Sequence, residues 1–386
     1  MGQIGRVSAT AVALDAPRRF RSGGLAVHAL RAAEDRVVTR ARENKFRIAL
    51  CVPMGGSDGI WGPSCLASAR LAESELNRFD GIAGRACELV PMDASNTADG
   101  IEQRLSELVD DGEVDALVGM HISSVRQRIT GAVGGRIPYV YTCLYEGGET
   151  TPGVYAIGET SARQLRPSIA WLSERPRLRR WMLVGNDYVW PRVSHRIARR
   201  CIAEFGGEVV AESYVPFGMT DYSEVLGLLR KTRCDTVLIS IVGQDAVEFN
   251  RAFARAGLSG KVLRLSCAIE ENQLLAIGAG NTENLHVALG YFAALETDAN
   301  QSFKERYLSR FGERAPALNS IGQSLYEGMH FLAALLDGTG RQSAHGAAPQ
   351  AYPSARDAVQ LGGGVNHAPM YLARAEDLSF RVLTRF

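Results

Sequence analysis

The sequence predicts an α/β protein of two doubly wound parallel-sheet lobes, and three observations predict it. From Phe46 onward, short apolar runs alternate with longer segments whose apolar residues recur every three to four positions. The series closes at YVYTC (139–143) and starts again at WMLVGND (181–187), so two sets of similar size follow one another. A chain of 386 residues also has room for two lobes. Alternation of this kind makes parallel sheets covered on both faces, with right-handed crossovers.

Taken in order, FRIALCVPM (46–54) is a first strand, followed by a Gly-rich loop and a helix with Cys65, Ala69, Ala72 and Leu76 on one face. CELVPMD (87–93) precedes a helix with Ile101, Leu105 and Leu108, and DALVGM (115–120) precedes one with Val125, Ile129 and Val133. In the second set, WMLVGND leads to a helix with Val193, Ile197 and Cys201 on one face and Pro191 in its first turn. EVVAESYVPF (208–217) follows, then a helix capped by Asp221 with Glu224 three residues on, then DTVLISIV (235–242), a helix, and KVLRLS (261–266). Tyr188 and Trp190 are thereby expected at a strand's carboxyl end, exposed just before a helix begins.

Composition narrows the function. The chain is 46% hydrophobic and 22% charged, with a formal net charge of +1, so it has no electrostatic footprint for nucleic acid or an anionic membrane. No apolar run is long enough to cross a bilayer. The seven cysteines include no Cys-x-x-Cys pair and sit in apolar segments, which predicts buried free thiols rather than disulfides or a metal site. Gly278-x-Gly280 follows a helix and lacks a third glycine, so no dinucleotide site is expected, and no cofactor is predicted. Residues 1–45 are arginine-rich, with a short apolar patch (Val7–Leu14) interrupted by Asp15. They are expected to form a flexible or partly helical extension rather than a secretory signal, which points to the cytoplasm.

Ligands of such sheets bind at the carboxyl ends of the strands. Those ends carry Ser57 in GGSDGIWG (55–62), His121 and Ser123 in HISS, Tyr141 and Cys143, then Tyr188 and Trp190, Gly243 and Gln244, and Ser266. Hydroxyls, aromatic rings, a thiol and exposed backbone suit a small neutral polar molecule. The nearest basic residues, Arg126 and Arg192, fall in the first turns of helices. Each candidate has a duller role: Tyr141 as core, His121 satisfied by backbone, Ser123 or Ser124 as a helix cap.

LVGMHISSVRQ (117–127), YTCLYEGGETTPGVY (141–155), VGNDYVWPR (184–192), SIVGQDAVEF (240–249) and VNH (365–367) together carry a family resemblance. The chain resembles the type I periplasmic-binding proteins, most closely the amide-sensing regulators of amidase operons (the AmiC type) and receptors for urea and short-chain amides. The resemblance implies a hinged receptor that closes on its ligand. Lobe 1 would comprise residues 46–157 plus 289–348 and lobe 2 residues 158–288 plus 349–386. The three crossings would lie near Gly158–Thr160, near Ala288–Tyr291 and in the C-terminal segment. Ser123, Tyr141 and Tyr188 match the positions that hold an amide in that family, and Ser266 stands for a threonine. His121, Cys143 and Trp190 depart from its tyrosine, threonine and second tyrosine.

An enzyme reading also has a motif. Gly55, Ser57 and Gly59 match the Gly-x-Ser-x-Gly nucleophile pattern, but Gly59, Gly62 and Pro63 separate Ser57 from the helix that a nucleophile elbow needs at once. The expectation is therefore a non-enzymatic sensor of an amide or urea-like ligand that regulates catabolic genes through a protein partner. It would bind nucleic acid only indirectly, would not insert into a membrane, and could form a homo-oligomer. The alternative is the substrate-binding protein of an ABC transporter for amides, urea or branched-chain amino acids, exported and working with a permease. A serine hydrolase using Ser57 is the third reading.

Overall fold

The computed structural model describes residues 45–175, 177–337, 352–356, 361–362, 365–366 and 368–386, and Phe46–Phe386 forms one compact unit. The N-terminal extension and His367 of the VNH motif lie outside the described residues.

The first sheet contains β1 (Lys45–Val52), β2 (Ala86–Asp93), β3 (Ala116–Gly119), β4 (Tyr139–Tyr141) and β5 (Val154–Ala156), in the order β2-β1-β3-β4-β5. The β1/β3, β3/β4 and β4/β5 pairs are parallel. Ala49 to Val52 and all of β3 and β4 are buried, as expected for strands covered on both faces. Helices α1 (Gly62–Leu76), α2 (Ile101–Asp110) and α3 (Ser123–Val133) bury the faces expected of them, and Pro63 opens α1 where its missing N–H costs nothing.

The second sheet repeats this order. It holds β6 (Arg180–Asn186), β7 (Glu208–Val215), β8 (Thr236–Ser240), β9 (Leu263–Ser266) and β10 (Leu285–Leu289), arranged β7-β6-β8-β9-β10 and parallel throughout. Its helices are α4 (Ser161–Ser173), α5 (Val189–Glu204), α6 (Ser223–Thr232), α7 (Gly243–Arg255) and α8 (Glu271–Ile277). Helices α9 (Asp298–Phe311) and α10 (Ser320–Asp337) return to pack on α1. A short antiparallel pair, β11 (Leu361–Gly362) and β12 (Val365–Asn366), follows. The chain then ends in the hairpin β13 (Tyr371–Glu376) and β14 (Ser379–Arg385), which extends the second sheet antiparallel from β10.

Three local expectations change. Helix α5 starts at Val189, so Tyr188 is its N-cap and Trp190 lies inside its first turn, 1% exposed rather than free at a strand end. Cys201 is buried as expected, but the stripe reaches it through Trp190, Ser194 and Ala198, while Val193 and Ile197 are half-buried. Packing against β6 sets that phase, since Pro191 and His195 crowd Gly185. At α6 the N-cap is Tyr222, and Asp221 instead accepts from the Ser223 amide at 2.9 Å. The capping box is at α8, where Glu270 and Gln273 each bond the other's backbone N–H.

The chain passes between sheets after β5, after β10 and between α10 and β13. One buried cation joins all three passages. Arg356, whose side chain is 2% exposed, pairs through Nη1 with Glu159 beyond β5 and through Nε (2.9 Å) and Nη2 with Glu327 on α10. Gly290, directly after β10, lies so close that a Cβ there would overlap Glu159 Oε1 and Arg356 Nη1. Burial opposes the charged guanidinium, but Glu327 and Glu159 outweigh it and raise its pKa. Replacing Arg356 by Met strands two buried carboxylates, so Arg356→Met should lower stability by about 3–5 kcal/mol in urea unfolding. A loss below about 1 kcal/mol would show the cluster to be energetically idle.

Candidate functional site

The first lobe presents the ends of β3 and β4. Beyond β3, Ile122 caps α3 in an extended conformation and no side chain caps the helix, so neither Ser123 nor Ser124 has the capping role. Ser123 Oγ is buried and has no hydrogen-bond partner. His121 is fully buried with both ring nitrogens engaged: Nδ1 lies 3.3 Å from Ile122 O and Nε2 3.0 Å from the Tyr139 hydroxyl. Burial pushes its pKa down to about 3, so the ring is neutral. His121 is thus a support of the wall rather than a ligand contact. Tyr141, fully buried, donates its hydroxyl to His121 O at 2.7 Å, which uses its one donor. Cys143 is buried just past β4, and its thiol is pushed up first by burial and then by the nearby Glu270 carboxyl.

The second lobe answers with aromatic rings at the start of α5. Tyr188 is half-buried, 6.4 Å from Trp190 and 5.3 Å from Phe217 between ring centroids. Its hydroxyl is pushed up by burial, then by Cys143, Glu146 and Asp58, all from the first lobe. Trp190 and Phe217 hold the Tyr188 ring at the start of α5. Trp190 Nε1 is buried without a partner. Ser266, fully buried at the end of β9, accepts from the Ala268 amide at 3.2 Å.

Several bonds tie the two lobes together at this cleft. The Gln244 amide donates to Ser57 O at 2.6 Å and the Asp245 amide to Ser57 Oγ at 3.4 Å, so the Gly-rich loop seats on the N-terminus of α7. Gly243 adopts φ +60° there, and a Cβ would overlap Ser57 O. Trp61 Nε1 donates to Gln273 Oε1 at 3.4 Å, Asn272 Nδ2 to Ile60 O at 2.9 Å, and the Ile321 amide to Glu270 Oε2 at 2.9 Å. Ser57 thus joins the walls with both oxygens and is not posed as a nucleophile. Gln244 contributes its backbone only, because its exposed side chain bonds Glu248 Oε1 on its own helix.

Sequence reasoning missed the buried acids. Asp58 is fully buried, accepts from the Asn96 amide at 3.0 Å, and is pushed up to about 7 by burial, with Asp93 and Asp245 adding. Burial likewise raises Asp245 and takes Glu270 well above the carboxylate range. Glu270 Oε1 has no partner. The one signal for Glu270 was the Glu-x-x-Gln spacing that begins four residues after the end of β9. A separate groove between α1 and α9, lined by Glu75, Arg78, Arg306 and Arg310, includes none of the candidate residues.

A model of the periplasmic binding protein family matches residues 45–363. The chain belongs to this family. Among solved structures, a periplasmic binding protein from Burkholderia mallei is 16% identical, with a TM-score of 0.80 over 89% of this chain and 95% of that one. An ABC-transporter solute-binding protein from R. palustris in complex with benzoate is 16% identical, with a TM-score of 0.76 over 88% and 96%. The branched-chain amino acid binding protein LivJ from Streptococcus pneumoniae, in complex with isoleucine, is 16% identical, with a TM-score of 0.77 over 88% and 98%. At such identity the likeness establishes the fold. The family is one of ligand receptors rather than enzymes, and its periplasmic members give no support to the sensor or to the cytoplasmic location. Among the described residues no helix is long and apolar enough to cross a membrane.

A buried acid with a raised pKa holds its proton more tightly in the folded state. Asp58 therefore contributes stability that is present below its unfolded pKa and is lost as pH rises through about 7. His121 and His195, with lowered pKa values, act in the opposite sense over lower pH, so the difference between wild type and Asp58→Asn is the quantity to follow. Melting temperatures from pH 5 to 8 should show the wild type losing ground to Asp58→Asn as pH rises. A constant difference would mean that Asp58 ionises normally.

Proposed function

We propose that this protein is the solute receptor of an ABC-type transporter, working in the periplasm with a permease, and that it takes a small uncharged amide or urea-like molecule. The observation that carries the ligand class is a set of buried polar atoms without partners at the cleft: Ser123 Oγ, Trp190 Nε1 and Glu270 Oε1. A buried polar atom left unpaired costs about 1–3 kcal/mol, which a ligand's hydrogen bonds would recover. Trp190 can only donate, and Ser123 and a neutral Glu270 can donate or accept. A carbonyl oxygen and an N–H group on one small molecule complement such a set. The rings of Tyr141, Tyr188 and Trp190 supply the flat apolar walls. Ligand drives closure only through its higher affinity for the closed state, whose interlobe bonds run from Ser57 to α7 and from Trp61 to α8.

The transporter reading draws on the family and on neighbours that are solute-binding proteins. An N-terminal reporter fusion tests it, with export expected and cytoplasmic retention counting against it. Calorimetric titration with acetamide, propionamide, urea, isoleucine and benzoate tests the ligand class, with binding expected for the uncharged compounds. Tight binding of isoleucine with no amide response would overturn that class. Trp190→Ala should weaken amide binding by about 1–3 kcal/mol, the range for a large apolar contact. Trp190→Phe keeps an aromatic ring but loses the N–H donor and part of the ring area, so its loss should fall between about 0.5 kcal/mol and that of Trp190→Ala. Cys143→Thr adds a hydroxyl beside Tyr141 and should favour acetamide over larger amides; unchanged ranking would remove Cys143 from the site.

A further inference from the structure

The cleft holds one arginine whose charge is already spoken for. Arg126 sits three residues after Ser123 in the first turn of α3, with its guanidinium 5.5 Å from the Tyr141 ring centroid and 5.6 Å from that of Tyr145. Its Nη2 donates to Glu146 Oε1 at 2.6 Å and its Nη1 pairs with Glu149 Oε2. The three side chains are 4%, 7% and 8% exposed, so water screens them little. Two carboxylates on one guanidinium leave this corner of the cleft with a net charge of −1. Glu149 is fixed further by accepting from the Thr151 amide at 2.9 Å. Glu146 keeps Oε2 buried and without a partner, and its charge is felt by the Tyr188 hydroxyl across the cleft. A structural ion pair needs one carboxylate, and here a second is packed on a guanidinium that lies over the Tyr141 ring.

We propose that Glu146 and Glu149 set the charge selectivity of the site: they cancel and overbalance Arg126, so that carboxylates are refused and Glu146 Oε2 accepts an N–H from an uncharged ligand. A ligand carboxylate would be a third anion on one guanidinium, and like-charge juxtaposition in a desolvated site is strongly unfavourable. The same arginine without its partners would make a carboxylate receptor, since a guanidinium in the first turn of a helix beside unpaired donors suits an anion. Selectivity here comes from a repulsive element added to a site that could otherwise bind acids.

This inference rests on the uncharged-ligand reading, and the two fail separately. Propionamide titration of the wild-type chain tests the reading; the benzoate response of variants tests the gate. Glu146→Gln and Glu149→Gln each keep an oxygen to accept from Arg126 while removing one negative charge. Either should bind benzoate about tenfold or more tightly than wild type, because one like-charge contact is relieved. Propionamide affinity should fall further in Glu146→Gln than in Glu149→Gln, because only Glu146 has an unpaired oxygen to accept from the ligand. If Glu146→Gln melts below the titration temperature, Glu149→Gln carries the benzoate test alone. Folded variants that bind benzoate no better than wild type overturn the proposal, as does a wild type that already binds benzoate as tightly as the variants.

Discussion

The architecture depends on one buried cation. Arg356 is held by Glu159 and Glu327 at the place where the chain crosses between the sheets. Glu159 lies in the passage after β5, Arg356 in the one between α10 and β13, and Glu327 on α10; Glu159 and Arg356 are 197 residues apart. A buried ion pair gives little net stability compared with an apolar substitute of the same shape, yet it is costly to break by halves. Its value is geometric. Three strands of chain that must bend together are pinned at one point, and Gly290 supplies the room for that point to exist.

The contacts between the lobes at the cleft are of a different kind. The loop at Ser57 meets the start of α7 through backbone bonds, and Trp61 and Ile60 meet α8 through Gln273 and Asn272. Neutral hydrogen bonds of this sort contribute about 0.5–1.5 kcal/mol each, so a few of them bias closure without locking it. Asp58 and Asp245 both lie at this seam with raised pKa values, one from each lobe. Their shared preference for the proton makes the seam less acidic than its composition suggests. Burial thus opposes the charge on both carboxyls of the seam, whereas Glu146 and Glu149 hold theirs against Arg126.

Most of the fold was legible in residue spacing. Apolar runs such as Ile48 to Val52 and Thr236 to Ser240 are buried on both faces, and that leaves a pattern any reader can find. The first two turns of the α5 face were misplaced because Ser194 and His195, polar by type, are buried, Ser194 on the Ser161 hydroxyl at 2.8 Å and His195 against Gly185 and Tyr214. Strand β10 and the β13–β14 hairpin escaped notice. The hairpin turns at Asp377 with φ +55°, a non-glycine position that gives no turn signal.

The sequence by itself determined the two-sheet alternation and the strand ends from which a site must be built, because these depend on neighbours two to four residues apart, and its spaced motifs carried the family resemblance. Which polar atoms remain free at those ends was decided only in three dimensions. His121, Tyr141 and Gln244 look like ligand contacts in one dimension, but each spends its polar groups on protein partners. Ser123, Trp190 and Glu270 keep an atom unpaired, and Arg126 has its charge overbalanced by Glu146 and Glu149. Hydrogen-bond satisfaction and desolvation are settled by groups that arrive from distant parts of the chain, and no local pattern of residues records who those partners are.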